Sequence, residues 1–243
     1  MNRPRGPFSP SKKREGVYVI VDMGFMRLLA SLLVLASLSA GLAGQSPQSP
    51  EMLARALQAR YQSVRDFTAD FVQMYRGGVL RTQTSERGTV AIKKPGRMRW
   101  TYTSPERKEF VSDGQKMYSY IPADRQVMMS DVPSDTEAPT SVLFLAGKGD
   151  LVKDFSATLV ESPVAGTTGL KLTPRRTEPE YEYLIVAVDR ASLQIRGLTT
   201  RDRQGGESTI RFENLKENKG LSDKDFAFRV PRGVDVITDG QRK

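Results

Sequence analysis

From residue 66 onward the chain alternates apolar and polar positions almost without interruption. Phe67, Ala69, Phe71 and Gln73 oppose Thr68, Asp70, Val72 and Met74, until Gly77-Gly78 breaks the run. Residues 86–93 alternate again, and after the Pro95-Gly96 turn Met98, Trp100 and Tyr102 alternate with Arg97, Arg99 and Thr101. A period of two predicts strands with one face of large apolar groups and one wet face. A strand at 109–112 turns at Asp113-Gly114, a dipeptide that favours hairpins, and returns through Met117, Tyr118, Tyr120 and Ile121. Residues 125–130 are expected to pair with that returning strand. Further strands are predicted at 170–173, 183–189, 195–202 and 208–215, the last two joined at Gly205-Gly206. Short strands at this spacing indicate one antiparallel sheet, and no long linker divides them, so a single domain is expected.

Two segments break the strand pattern. Ser49, Pro50 and Glu51 form a helix start, followed by an apolar stripe at Leu53, Leu57, Tyr61 and Val64. This helix either covers one face of the sheet or moves as a lid. Between Pro139 and Gly147, the run Val142-Leu143-Phe144-Leu145-Ala146 predicts a short buried helix, either a plug over the sheet or a connector in the core.

The first 43 residues read as a leader. Arg27 precedes the apolar run 28–38, and small residues follow, with Gly41 and Ala43 in cleavage-site positions. The run is short for a membrane span. The Pro/Lys/Arg-rich stretch before it suggests a natural start at Met23 or Met26, leaving a domain at 44–243. Removing the leader leaves 31 basic and 26 acidic residues, a net charge of +5 rather than +9. An exported, moderately basic protein suits anionic headgroups or acidic partner patches better than nucleic acid.

The chain has no cysteine and no histidine. That excludes a lipid-anchoring cysteine, thiol chemistry, zinc–thiolate sites and every His-dependent triad. An enzyme would need paired carboxylates or a Ser-Lys arrangement, and no such constellation stands out. No enzymatic activity, cofactor or metal is expected.

The aromatic and methionine residues have two readings: ordinary core, or a soft surface for flexible hydrocarbon. The bases Lys93, Lys94, Arg97, Arg99, Arg107 and Lys108 have three: a solvated strand face, a docking patch for an acidic partner, or a polyanion site.

Several separated motifs occur in order: Ala69-Asp70-Phe71 with Gln73; the run from Gly88 to Gly96 with Arg99-Trp100; Val111-Ser112-Asp113-Gly114-Gln115; and Phe226, Phe228, Pro231 and Gly233-Val234-Asp235-Val236. Together they resemble the outer-membrane lipoprotein carrier protein (LolA) family. The resemblance implies a mainly β fold, a half-open antiparallel barrel of about eleven strands, with short helices forming a lid over an apolar cavity. It implies a periplasmic, monomeric carrier that takes triacylated lipoproteins from an inner-membrane ABC transporter to an outer-membrane receptor. A periplasmic lipid- or lipoprotein-sensing regulator of the same fold is the alternative.

On that resemblance Phe71, Met98, Trp100, Tyr118 and Tyr120 are expected to line the cavity from the sheet. Val142, Leu143, Phe144 and Leu145 are expected to line it from the lid. Arg97, Arg99 and Arg107 become docking candidates. Lys94 stands where the family often has an arginine that bonds the lid. An ammonium lacks the planar fork, so the closed state would be held less firmly, or Lys94 is simply a solvated strand-end charge.

Overall fold

Helix α1 (Pro50–Gln62) leads into twelve strands: β1 (Asp66–Arg76), β2 (Gln83–Lys93), β3 (Arg97–Ser104), β4 (Lys108–Asp113), β5 (Lys116–Ile121), β6 (Gln126–Asp131), β7 (Phe155–Val160), β8 (Thr168–Pro174), β9 (Tyr183–Val188), β10 (Ile195–Arg201), β11 (Glu207–Glu217) and β12 (Asp235–Thr238). This computed structural model describes residues 49–78, 82–132 and 149–238. The expected leader, and the run from Val142 to Leu145, lie outside the described residues.

All twelve strands form one sheet, ordered β12-β6-β5-β4-β3-β2-β1-β11-β10-β9-β8-β7. Its two ends do not pair, so the barrel is half open. Every neighbouring pair is antiparallel except the last, where β12 runs parallel to β6 from Asp235↔Gln126 to Thr238↔Met129. Twelve strands among the described residues accord with the half-open barrel of about eleven that the resemblance implies, and β12 is a short parallel edge. Strand β7 is not predicted by the sequence, although Phe155, Ala157 and Leu159 alternate across it. Register shifts at Thr68/Asp70, Arg87/Gly88 and Ile195/Gly197 bend the strands that carry them.

Helix α1 starts as its sequence requires. The Ser49 hydroxyl accepts from the Met52 amide at 3.2 Å, with Pro50 in the first turn. Leu53, Leu57, Tyr61 and Val64 are all buried, so the predicted stripe faces the sheet. The helix packs on β7, β8 and the short helix α2 (Leu151–Asp154). Gln58 fixes that contact, accepting from the Leu151 amide at 3.0 Å and donating to the Gly149 carbonyl at 3.3 Å.

Residues directly opposite one another on paired strands share a face. The pairs Ile92↔Met98, Val90↔Trp100, Trp100↔Phe110 and Ser112↔Met117 extend the helix-bearing, inner face across β2 to β5. Phe67, Phe71, Val90 and Ile92 join α1 and residues of β7 to β11 in the main core, with Met98 and Trp100 packed against it. Gly88 is required for this packing. A β-carbon there would lie 2.0 Å from the Thr101 carbonyl oxygen and 2.9 Å from the Phe71 ring.

Candidate functional site

The inner face is filled unevenly. At the β7–β11 end α1 seals it, leaving a void of only about 20 Å³ between Tyr61, Phe67, Phe212 and their neighbours. Towards β3–β6 the face stays uncovered by α1. There Phe110, Met117 and Met128 are 37–39% exposed and border a cleft of about 150 Å³. Isolated exposed apolar residues need no explanation, but three on one face beside a cavity do.

Aromatic rings lead from the core into this trough. Phe71 meets Trp100 edge-on at 5.1 Å and Tyr102 at 4.9 Å, and Tyr102 meets Phe110 at 5.7 Å. Beyond Phe110 the lining becomes methionine and serine: Met98, Ser112, Met117, Ser119 and Met128. Rigid rings at one end and unbranched thioethers at the other give a surface that can remould around flexible apolar chains.

A polar rim bounds it. The Tyr102 hydroxyl donates to Gln73 Oε1 at 2.7 Å, and Lys108 Nζ lies 4.4 Å from the Tyr102 ring centroid while pairing with Glu86 at 2.5 Å. Burial, with Glu86 adding to it, pushes the Tyr102 hydroxyl up to about 12, so it stays a neutral donor.

Of the expected cavity residues, the structure brings Phe71, Met98 and Trp100 together on this face. Phe71 is buried, so it supports the trough from beneath. Tyr118 borders the cleft, but its ring and that of Tyr120 turn to the other side. Met117 points inward, and its neighbours in a pleated strand must point outward. The register Val111↔Tyr118 and Glu109↔Tyr120 places both on the outer face with Arg99. Their rings pack on Phe228, at 5.1 Å and 6.0 Å between centroids.

Phe228 belongs to a C-terminal segment that crosses the outer face. Phe226 is fully buried there, and Val111 and Val127 form part of the same outer packing. Arg99 donates to the carbonyls of Asp225 and Ala227, both at 2.8 Å, and pairs with Glu109. Asp223 receives Lys93 at 2.6 Å and Arg97 at 3.3 Å. Arg97 and Arg99 therefore bind the chain's own C-terminal segment and are not a free docking patch. Arg107, exposed between β3 and β4, is the remaining member of that expected trio.

Lys94 is engaged too. Its ammonium donates to the Tyr61 carbonyl at the end of α1 and lies 4.0 Å from the centroid of the Tyr61 ring. Burial lowers its pKa below the ordinary lysine value, and the charge of Glu217 opposes that shift. Arg60 of the same helix turn pairs with Glu217. Lys94 thus reaches the end of α1 through both the backbone and the ring of Tyr61.

Phe110, Met117 and Met128 escaped the sequence reading as site residues, although alternation from Trp100 through the Asp113-Gly114 turn would have assigned their face. A second cleft, about 480 Å³, has a mixed lining that includes Met74, Tyr75, Arg76, Glu161, Pro163, Ile185, Thr199, Glu207, Thr209 and Arg211. Among the described residues, no three His, Cys, Asp or Glu side chains converge as metal ligands. No helix among them is long and apolar enough to cross a membrane.

Comparison with known proteins accords with this geometry. The outer membrane lipoprotein carrier protein LolA family profile matches residues 62–229. An outer-membrane lipoprotein carrier protein of Chromohalobacter salexigens is 33% identical over 190 residues, covering 77% of this chain and 87% of that one. A protein of the same description from Methylococcus capsulatus is 29% identical, over 86% of this chain and 97% of that one. With more than half its length matched and its half-open sheet carrying an apolar inner trough, the chain belongs to the LolA family.

Proposed function

We propose that this protein carries outer-membrane lipoproteins through the periplasm, holding their acyl chains against the inner face of the sheet. The observation that supports this most is the trough of Trp100, Phe110, Met117 and Met128, apolar, partly exposed and continuous with the core. Cargo would come from an inner-membrane ABC transporter and pass to an outer-membrane receptor, with exposed Arg107 a candidate contact.

The magnitudes require movement. A cleft of about 150 Å³ falls below the roughly 300–1,000 Å³ of a site for even a drug-sized ligand, and three acyl chains need more. Helix α1 is the element to displace. Exposing Leu53, Leu57, Tyr61 and Val64 costs about 1.5–3 kcal/mol each, on the order of 10 kcal/mol in total. One long acyl chain, at about 0.8 kcal/mol per methylene, gains on the order of 10 kcal/mol on burial. A lipoprotein with more than one chain therefore opens the carrier, and an empty carrier closes. Release then needs no energy source beyond a receptor that binds the chains better.

The test is depletion followed by membrane fractionation. Outer-membrane lipoproteins should accumulate in the inner membrane. Unchanged sorting in depleted cells would refute the carrier role.

A further inference from the structure

The trough carries a chemistry that lipid holding does not use. The chain has no cysteine, so methionine thioethers are its most readily oxidised sulfur groups. Met117 is 38% and Met128 39% exposed. They are diagonal neighbours across β5 and β6, since Met117 lies opposite Ser130 and Met128 opposite Ser119. Both belong to the inner face and line the apolar cleft, which Met98 and the less exposed Met129 also border. Met74 and Met129 are less exposed, and Met52, 53% exposed, lies on α1 and does not line the trough.

We infer that Met117 and Met128 form a reversible oxidation site through which hypohalous acids switch off loading of the empty carrier. The inference rests on the acyl-chain reading of the trough. With hypochlorous acid, the sulfur gives up two electrons and gains one oxygen. Chlorine takes the electrons and leaves as chloride, and a proton is released, so one thioether and one HOCl yield one sulfoxide and HCl. The product is a strongly polar, hydrogen-bond-accepting group in a surface meant for methylenes. Covering it with an acyl chain strips water from that acceptor, which is costly. Bound cargo covers the same sulfurs, so the loaded carrier is protected and the empty one is not. Methionine sulfoxide reductases return the thioether and with it the function.

The experiment treats the purified, empty full-length protein with limiting hypochlorous acid, maps sulfoxides by peptide mass spectrometry and titrates a tripalmitoylated lipopeptide by calorimetry. Met117 and Met128 should oxidise before Met74 and Met129, and affinity should fall by about tenfold or more, as expected for a polar group stripped of water. The Met117→Leu/Met128→Leu protein, whatever its starting affinity, should bind equally well before and after the same treatment although Met52 is oxidised in it. Reductase treatment should restore binding in the parent protein. Equal affinity with both sulfurs oxidised, slower oxidation than at Met74 and Met129, or an equal loss in the double variant would overturn the inference. Absence of lipopeptide binding before any oxidant is added would instead overturn the carrier reading, and the switch with it.

Discussion

The Lys94 ammonium holds Tyr61 twice, accepted by its backbone carbonyl and placed 4.0 Å from its ring centroid. One strand-end cation thus clamps the last turn of α1, the helix that seals the inner face. Replacing it with alanine removes a cation–π contact and a charged hydrogen bond, together about 1–3 kcal/mol. In Lys94→Ala, hydrogen exchange in α1 should accelerate and bound lipid should dissociate faster, while the sheet amides keep their protection. Unchanged exchange in α1 would show that the clamp does not hold the helix.

Phe110 and Met117 are partly exposed in the empty protein, so a charge at either position is tolerated without cargo and costly beneath it. Phe110→Asp and Met117→Asp should lower lipopeptide affinity by about tenfold or more and shift Tm by only a few degrees, the scale of about 1 kcal/mol. Calorimetry and thermal melts separate the two effects.

The outer face makes the opposite prediction. Phe228→Ala removes the ring stacked on Tyr118 and should loosen the C-terminal segment, seen as faster exchange at residues 222–228. Lipopeptide affinity should stay within about twofold, because the mutated ring lies across the sheet from the trough. A large loss of affinity would place lipid on the outer face.

Those two sites also show how far the sequence could be read. Alternation around Trp100, the helix stripe from Leu53 to Val64 and the turns at Asp113-Gly114 and Gly205-Gly206 specify local geometry, and each has its expected place in the fold. The resemblance grouped Tyr118 and Tyr120 with Trp100, whereas pleating turns their rings towards Phe228, although Tyr118 still borders the cleft. The roles of Arg97 and Arg99 were illegible for another reason. Their partners Asp223, Asp225 and Ala227 lie more than a hundred residues away, and local pattern carries no information about such pairings. Asp66 is similar: buried at the start of β1, it accepts from the amides of Lys219 and Gly220 at 2.6 and 3.0 Å, and only the fold shows why a carboxylate begins that strand.

The grip on the C-terminal segment should depend on pH. The hydrogen bond from Lys93, and then the charge of Arg97, hold the Asp223 carboxyl below its usual value. A depressed carboxylate pKa contributes stability at neutral pH, and that contribution is lost as pH falls through the folded-state value. Protection factors at residues 222–228, corrected for intrinsic exchange, should therefore fall in acid, below about pH 4, the ordinary carboxylate range. Asp223→Asn should exchange faster at neutral pH and lose that acid dependence; a profile identical to the parent's would show that this carboxylate does not set it.

Trp100 is the chain's single tryptophan; it packs against the core opposite Phe110, beside the trough. Titrating the protein with a lipopeptide whose acyl chains carry bromine at mid-chain reads the central claim directly, because bromine quenches indole only at contact. The carrier account predicts strong, saturable quenching by the brominated lipopeptide and none by the same peptide without its chains. Saturable binding that leaves Trp100 unquenched would contradict it.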